Sequence, residues 1–497
     1  MFQIKQGISS SWFKVIFALW LTILLIYRIT ICFSYLPELS NGESNNIWKA
    51  INVANGKPIY TNPEELPLEV FQYTPISQLP IIGIAKLLNK ESVDYVYLVT
   101  VYGRLYELFA NILLVILIYH ISIKYLGNSK HTSATSALLI LSLFTNPAFT
   151  VRPDATLLLM IGVSIWSYLK MEQKNHINWT VLTSLLIITC FYTKQDGILI
   201  AGPMAIRLIL LKKWRTFFSL SFISLGLLIG SIAISPFIFG EHFYTCVFKG
   251  LKNTSSIQQI IGVFDRAYGF YMIHFVLGLI CSIYFLIKKR KEYIALFSLA
   301  SLFYFFVALA TSSKSGSWVN YYTPYIIFSS IVIVCFLSSL SFKNEILSPL
   351  FTISFGMVIS GLFIFKQVYV YTSPFIKLNN GKVEYYTHYK TIQKIKSNLK
   401  ISKHDKVLTI NQLDRNFLAE NSIMINTEYY NYASYSYQTF KKQSNKNIDY
   451  IFYKLKDKPT VDYLIQFFNV SIVKYDTVKI NNYIVLINQQ NNKSNSF

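Results

Sequence analysis

Apolar residues fall in long unbroken runs over the first three-quarters of the chain and in short alternations over the last quarter. A helix that crosses a membrane needs roughly 20 mainly apolar residues. On that measure the pattern predicts eleven helices, near 13–36, 96–122, 133–150, 155–170, 178–193, 197–212, 216–239, 267–287, 293–311, 320–340 and 348–371. The connections from 133–150 to 155–170 and from 178–193 to 197–212 are so short that each pair should pack as antiparallel neighbours. From residue 373 the pattern changes. Glu384–Leu399 reads as helical, and Lys406–Ile410, Ser422–Ile425, Tyr450–Tyr453, Ser471–Lys474 and Tyr483–Ile487 read as strands, most of them separated by helical runs. The expected fold is a polytopic α-helical membrane protein of about eleven transmembrane helices over 1–372, with a small C-terminal α/β domain over 373–497.

One stretch between apolar runs is polar. Within the 37–95 loop, Ser40-Asn41-Gly42-Glu43 fits a capping box, and Ile47, Ile51 and Ala54 follow at helical spacing. Gly56-Lys57-Pro58 ends that helix. Pro75–Asn89 is apolar but too short to span, and Pro80 and Gly83 interrupt it, so it is expected to lie at the bilayer interface.

Composition agrees with this division. Of 497 residues 53% are hydrophobic and only 14% charged, against about 25% charged in an ordinary soluble domain. The net charge of +22 is spread between apolar runs and across the tail, not gathered in an aromatic-interleaved patch, so a nucleic-acid partner is not expected. Basic residues also orient the chain. With the N-terminus in the cytoplasm, every inside loop is basic: Lys124 and Lys130, Lys170 and Lys174, Lys212, Lys213 and Arg215, Lys288 to Lys291, and Lys343. The first apolar run is long, contains Arg28 and lacks a clear small-residue cleavage site, so it reads as an uncleaved first helix. An odd helix count then puts the C-terminal domain outside the cell membrane. It places four polar features on that external face: the 37–95 loop, Arg152-Pro153-Asp154, Lys194-Gln195-Asp196 and Ser312–Tyr322.

Four of the five cysteines lie in apolar runs without CxxC spacing, and the seven histidines show no HExxH or similar pattern, so neither a disulfide framework nor a histidine metal site is expected. The tail lacks a Gly-rich phosphate loop. The candidate chemistry therefore sits in the polar features. Glu43 is a carboxylate at the membrane edge, suited to take a proton from an acceptor hydroxyl; its other reading is the reciprocal partner of Ser40 in the cap, and the nearby alternatives Glu38, Glu64, Glu65 and Glu69 read as solvated loop charges. Arg152-Pro153-Asp154 separates two apolar runs with almost no spacer, where charge is costly and usually functional; Asp154 is otherwise a helix-start residue paired with Arg152. Lys194 suits a phosphate as a compact cation, or else marks a hairpin tip that stays wet. Arg104 either serves the same purpose or snorkels to the interface. Asn320-Tyr321 opens a span, where Asn320 is a natural cap and an interfacial Tyr is ordinary.

These elements recur in a known order: Glu43, Gly56-Lys-Pro-Ile-Tyr60, Tyr73-Thr-Pro75, Gly103-Arg104-Leu105, Arg152-Pro153-Asp154, Lys194-Gln195 and Asn320-Tyr321. Over roughly residues 10–370 the chain resembles the GT-C class of membrane glycosyltransferases, which includes lipid A aminoarabinose transferases and protein O-mannosyltransferases. The resemblance implies a polyprenyl-phosphate sugar donor, transfer to a cell-envelope acceptor on the external face, and inversion at the anomeric carbon. Glu43 would be the general base and Asp154 the second acidic residue. Arg104, Arg152 and Lys194 would bind the donor phosphate. Tyr60, Tyr73, Gln195, Asn320 and Tyr321 are the motif residues expected to contact substrate. Relatives commonly carry an Asp, or an Asp-Glu pair, in the first loop, and some hold a divalent cation there. Gly42-Glu43 departs from that pattern, so no cofactor is assigned and a divalent cation is the one candidate. Two other classes remain in view: a transporter or flippase of lipid-linked saccharides, which needs polar residues deep in several helices and often an internal repeat, and a glycan polymerase.

Overall fold

The computed structural model describes residues 2–35, 39, 42–63, 69, 71–144, 150–251, 255–314, 316–340, 347–370, 373–402, 404–409, 411–422, 448–454 and 475–489. In chain order the first helices are α1 (Phe2–Cys32), α2 (Glu43–Ala54), α3 (Leu79–Leu87), α4 (Tyr95–Leu126), α5 (Lys130–Leu143) and α6 (Asp154–Lys174). Next come α7 (Ile177–Thr193), α8 (Ala201–Leu210), α9 (Trp214–Phe239), α10 (Phe243–Val247), α11 (Ile257–Ile273) and α12 (Leu279–Lys288). The chain continues with α13 (Ile294–Thr311), α14 (Thr323–Ser339), α15 (Leu347–Val370) and α16 (Ser373–Asn398). The tail adds β1 (Val407–Thr409), α17 (Gln412–Phe417), β2 (Tyr450–Lys454), β3 (Tyr475–Ile480) and β4 (Tyr483–Asn488).

Each of the eleven apolar segments carries helix. Among the described residues, seven stretches are long and apolar enough to cross a membrane: 11–32, 95–126, 154–174, 214–239, 257–288, 294–311 and 319–339. The helix expected at 267–287 begins earlier, at Ile257, and a π turn over His274–Gly278 joins α11 to α12. The helix expected over 133–150 ends at Leu143. Its terminal carbonyls have no helical partner. Arg28 supplies one: its Nη2 donates to the carbonyls of Ser142 (3.4 Å) and Phe144 (2.6 Å), placing a cation at the negative helix end. That accounts for an arginine only 1% exposed in the first apolar run.

The chain forms two compact units, 1–33 with 104–231 and 256–375, and 34–103 with 232–255 and 376–497. In the first, α6 lies against α7, α5 against α15, and α13 against α14. Its core runs through Leu139, Ile161, Tyr168, Phe275, Tyr325 and Val332.

In the second unit, the polar segment between the first two apolar runs folds together with the tail. α2 packs against both α3 and α17. The tail sheet has the order β1-β2-β4-β3, with β1–β2 parallel and the other pairs antiparallel. α16 covers it through Ile392 and Ile395, over Val407, Phe452 and Val485. Ser422 makes a parallel bridge to Val407. The expected strand 471–474, the remainder of 422–425, and the carboxylates Glu38, Glu64 and Glu65 lie outside the described residues. β3 was not anticipated. It is a partly exposed edge strand rich in polar residues, so it carries a weak apolar signal.

Candidate active site

In the first unit the site is built by three chain reversals. The first is at α6. Arg152 N–H donates to the Thr150 carbonyl (2.6 Å), and Pro153 leads into the helix, so Asp154 opens α6 at its positive end. The second follows α7, where Lys194 is extended (φ −160°) and its N–H closes on the Cys190 carbonyl (3.0 Å). A 3-10 turn over Gln195–Ile200 then packs back on the end of α7. Gly197 allows this, since a Cβ there would sit 2.3 Å from the Cys190 carbonyl oxygen. The third is the 3-10 turn Val319–Tyr322 before α14, which carries Asn320 and Tyr321.

These reversals converge on Asp154, which is 5% exposed. Its Oδ2 faces Arg152 Nε at 3.2 Å. Its Oδ1 accepts from Lys194 Nζ at 3.1 Å and from Asn320 Nδ2 at 3.0 Å. Lys194 Nζ also lies 3.4 Å from Asp196 Oδ2 and 5.1 Å from the centre of the Tyr321 ring. Asp154, Lys194, Asp196, Asn320 and Tyr321 line a cavity together with the apolar Leu157, Leu158, Ile161 and Leu199. Three of the four polar features expected on one face thus meet in space. Gln195 is half-buried beside Lys194. Arg104 is fully buried on α4.

Glu43, Tyr60 and Tyr73 belong to the second unit. Glu43 is the first residue of α2 and fully buried. The N-cap is Gly42 in a left-handed conformation (φ 87°), without a side-chain cap bond. The Glu43 carboxylate instead reaches back to the incoming chain, where Oε2 accepts the Leu39 N–H at 2.8 Å. Tyr60 is 1% exposed, and its hydroxyl donates to the Tyr73 carbonyl at 2.8 Å, so the two tyrosine motifs of the loop are pinned together. Tyr60 also meets Phe243 edge-on at 5.3 Å.

The sequence profile of the dolichyl-phosphate-mannose-protein mannosyltransferase family matches residues 99–239, the stretch that carries Arg104, Arg152, Asp154 and Lys194. No curated protein matches the chain by sequence. Among solved structures, ArnT from Cupriavidus metallidurans bound to undecaprenyl phosphate is similar with a TM-score of 0.58 at 11% identity, over 96% of this chain and 98% of that one. ArnT in the apo state gives 0.55 at 11%, over 94% and 97%. The Archaeoglobus fulgidus oligosaccharyltransferase in complex with Zn and sulfate gives 0.51 at 11%, over 94% and 73%. The chain has the GT-C glycosyltransferase fold.

Within this GT-C fold two features escaped the sequence reading. Glu107, 1% exposed on α4, accepts from both the N–H and the hydroxyl of Thr156 at 3.2 Å. It therefore caps the first turn of α6 from a neighbouring helix. The signal was present: Glu107 stands one turn from Arg104 inside an apolar run, where an ionisable residue is expensive. The second is Lys49, which forms a buried ion pair with Glu69 under Phe71, so that Glu69 is not the solvated loop charge its polar surroundings suggest. Burial raises the Glu69 carboxyl above its usual range, with Lys49 acting in the opposite direction. No group of three His, Cys, Asp or Glu among the described residues could hold a divalent cation, and both Asp154 oxygens already face donors. What the Asp154 cluster can do is hold two cations on one carboxylate, with Lys194 on the wall of a cavity where it can meet an anion.

Proposed function

We propose that this GT-C chain is a glycosyltransferase that moves a sugar from a polyprenyl-phosphate donor to a cell-envelope acceptor. The observation that carries this reading is the meeting of Arg152, Lys194 and Asn320 on Asp154, with Asp154, Lys194 and Asn320 lining a cavity beside Leu157, Leu158, Ile161 and Leu199. A lipid phosphate combines the two properties that such a cavity selects: an anionic head and an apolar tail. ArnT, which shares the fold, is described as bound to undecaprenyl phosphate, and the matching family profile is named for a dolichyl-phosphate-mannose donor.

In the proposed reaction an acceptor hydroxyl oxygen attacks the anomeric carbon of the donor. The bond from that carbon to the phosphate oxygen breaks, and the electron pair leaves with the polyprenyl phosphate. The configuration inverts, and the hydroxyl proton passes to the Glu43 carboxylate. Arg152, Lys194 and Arg104 offset the charge that develops on the departing phosphate, an electrostatic term that is usually large when the donors are fixed in advance. Asp154 holds the two cations in place: its oxygens are occupied, so it suits orientation better than proton transfer. Gln195, Asn320, Tyr321, Tyr60 and Tyr73 are assigned to substrate contact or to the support of those contacts.

The same reading places the chain in the cell membrane, with its N-terminus in the cytoplasm and the tail outside. The basic loops support it. Lys213 and Arg290 gather at the end of α6 remote from Asp154, where Arg290 donates to the Leu210 carbonyl at 3.0 Å and Lys213 approaches Glu172 at 3.7 Å. The test is transfer by Glu43→Gln and Asp154→Asn proteins that still insert in the membrane. Loss of transfer in both is expected; full activity in both sinks the assignment.

A further inference from the structure

We propose that Arg415, in the C-terminal tail, is a positioning residue for Glu43, gripping the first turn of α2 so that its leading carboxylate is held in one orientation. The inference rests on the reading of Glu43 as the base. Arg415 is 2% exposed, and one of its nitrogens, Nη2, donates to Ser44 Oγ at 2.5 Å and to Asn45 Oδ1 at 2.7 Å. Ser44 and Asn45 directly follow Glu43. Bonds from a guanidinium to such acceptors are charge-assisted, and burial strengthens them.

The grip extends along α2. One turn further on, the Trp48 indole N–H donates to Ser422 Oγ at 2.7 Å, and that hydroxyl donates to the Arg415 carbonyl at 3.1 Å. Beyond the end of α2, Lys57 Nζ donates to the Glu420 carbonyl at 2.7 Å. The start, middle and end of the helix are therefore tied to one segment, 415–422.

That segment is itself fixed. Asn411 Oδ1 caps α17 by accepting from the Leu413 and Asp414 N–H groups. Asp414, fully buried, accepts from His388 Nδ1 at 2.8 Å and from the Tyr483 hydroxyl at 2.5 Å. The Val407 N–H donates to the Asn421 carbonyl at 3.1 Å, which joins the segment to β1. Consecutive residues thus face two ways: Asp414 is anchored in the tail, and Arg415 holds α2. A carboxylate on the first residue of a helix turns with the helix. A misplacement of about 1 Å of a reacting group can cost on the order of 100-fold in rate.

The test uses the full-length protein in membranes of a source strain that lacks the chromosomal copy, which supply the native donor and acceptor. Transfer per inserted molecule is read by mass spectrometry of the envelope glycans. Arg415→Ala is compared with Val485→Ala, a control that removes buried bulk from β4 of the same tail without touching α2. The expected result is a loss of about 10- to 100-fold for Arg415→Ala, partial recovery in Arg415→Lys, and little loss for Val485→Ala. Because Arg415→Ala also strips buried partners, Ser44→Ala is made as a milder variant and should lose rate in the same direction. Equal losses in Arg415→Ala and Val485→Ala at matched thermal stability, or no loss in Arg415→Ala, overturn the proposal. Glu43→Gln is run alongside. Full transfer by that variant breaks the base assignment on which the proposal stands, whereas an inactive Glu43→Gln beside a fully active Arg415→Ala breaks the positioning role alone.

Discussion

The two ends of α6 carry the same kinds of side chain in two different arrangements. At one end Asp154 meets an arginine and a lysine, with the lysine set against a tyrosine ring. At the other end Glu172 also meets an arginine and a lysine, with the arginine set against Tyr293. Along the helix they are about 27 Å apart, from 18 residues at 1.5 Å each. The Glu172 end is closed. Arg207 Nε and Nη2 fork onto its two oxygens at 2.8 and 2.9 Å, and a further Arg207 nitrogen donates to the Glu292 carbonyl at 3.0 Å. The Asp154 end is open. Its three donors stand at 3.0 to 3.2 Å, each from a different turn, and the carboxylate and its lysine line a cavity. A forked pair with its remaining donors satisfied by backbone ties loops together. Donors that converge singly from three turns hold a carboxylate and its lysine at a cavity wall.

The largest expected effect is at the open end. Asp154→Asn should lower transfer by about 100-fold or more, by removing the charge that holds Arg152 and Lys194 in position, while the inserted protein melts within a few degrees of wild type. Glu172→Gln should do the opposite. It breaks a buried pair and should lower stability by about 3 kcal/mol, read as a drop in Tm, with transfer per folded molecule little changed. A rate loss in Glu172→Gln as large as that in Asp154→Asn would erase the distinction between the two ends.

The Lys49–Glu69 pair in the second unit provides a third case, readable by pH. The folded Glu69 carboxyl titrates above its unfolded value of about 4.3, so the folded state holds that proton more tightly. Its contribution to stability is therefore complete below the unfolded value and is lost as pH rises through the folded value. Wild type should show that loss in Tm across this window, and Glu69→Gln should not. The smallest effect is expected for Lys213→Met. Lys213 is 39% exposed and 3.7 Å from Glu172, so stability should change by less than about 1 kcal/mol.

The helices were legible because an apolar run needs little more than length to be read; each of the eleven runs carries helix, and seven stretches among the described residues are long and apolar enough to cross a membrane. The turn chemistry at Pro153-Asp154 and Lys194-Gln195 was legible for a related reason, since charge between two apolar runs with no spacer has to be accommodated somewhere. Glu107 was lost inside the helix that carries it, because its role depends on Thr156 of another helix. The capping box located the start of α2 and not its cap. Glu43 does stand at the helix start, but its carboxylate accepts the Leu39 N–H outside the helix and the N-cap is Gly42; Ser40 lies outside the described residues. Nothing local could reveal Arg415, whose acceptors lie about 370 residues away in sequence.

The most direct test gives the purified protein in detergent a labelled polyprenyl-phosphate sugar pool and an envelope acceptor fraction from the source strain. A glycosyltransferase transfers label to the acceptor and releases polyprenyl phosphate with no bilayer present, and the Asp154→Asn protein does neither. Recovery of label only on the original lipid, together with movement of that lipid across vesicles, would contradict the proposed chemistry and identify a carrier instead.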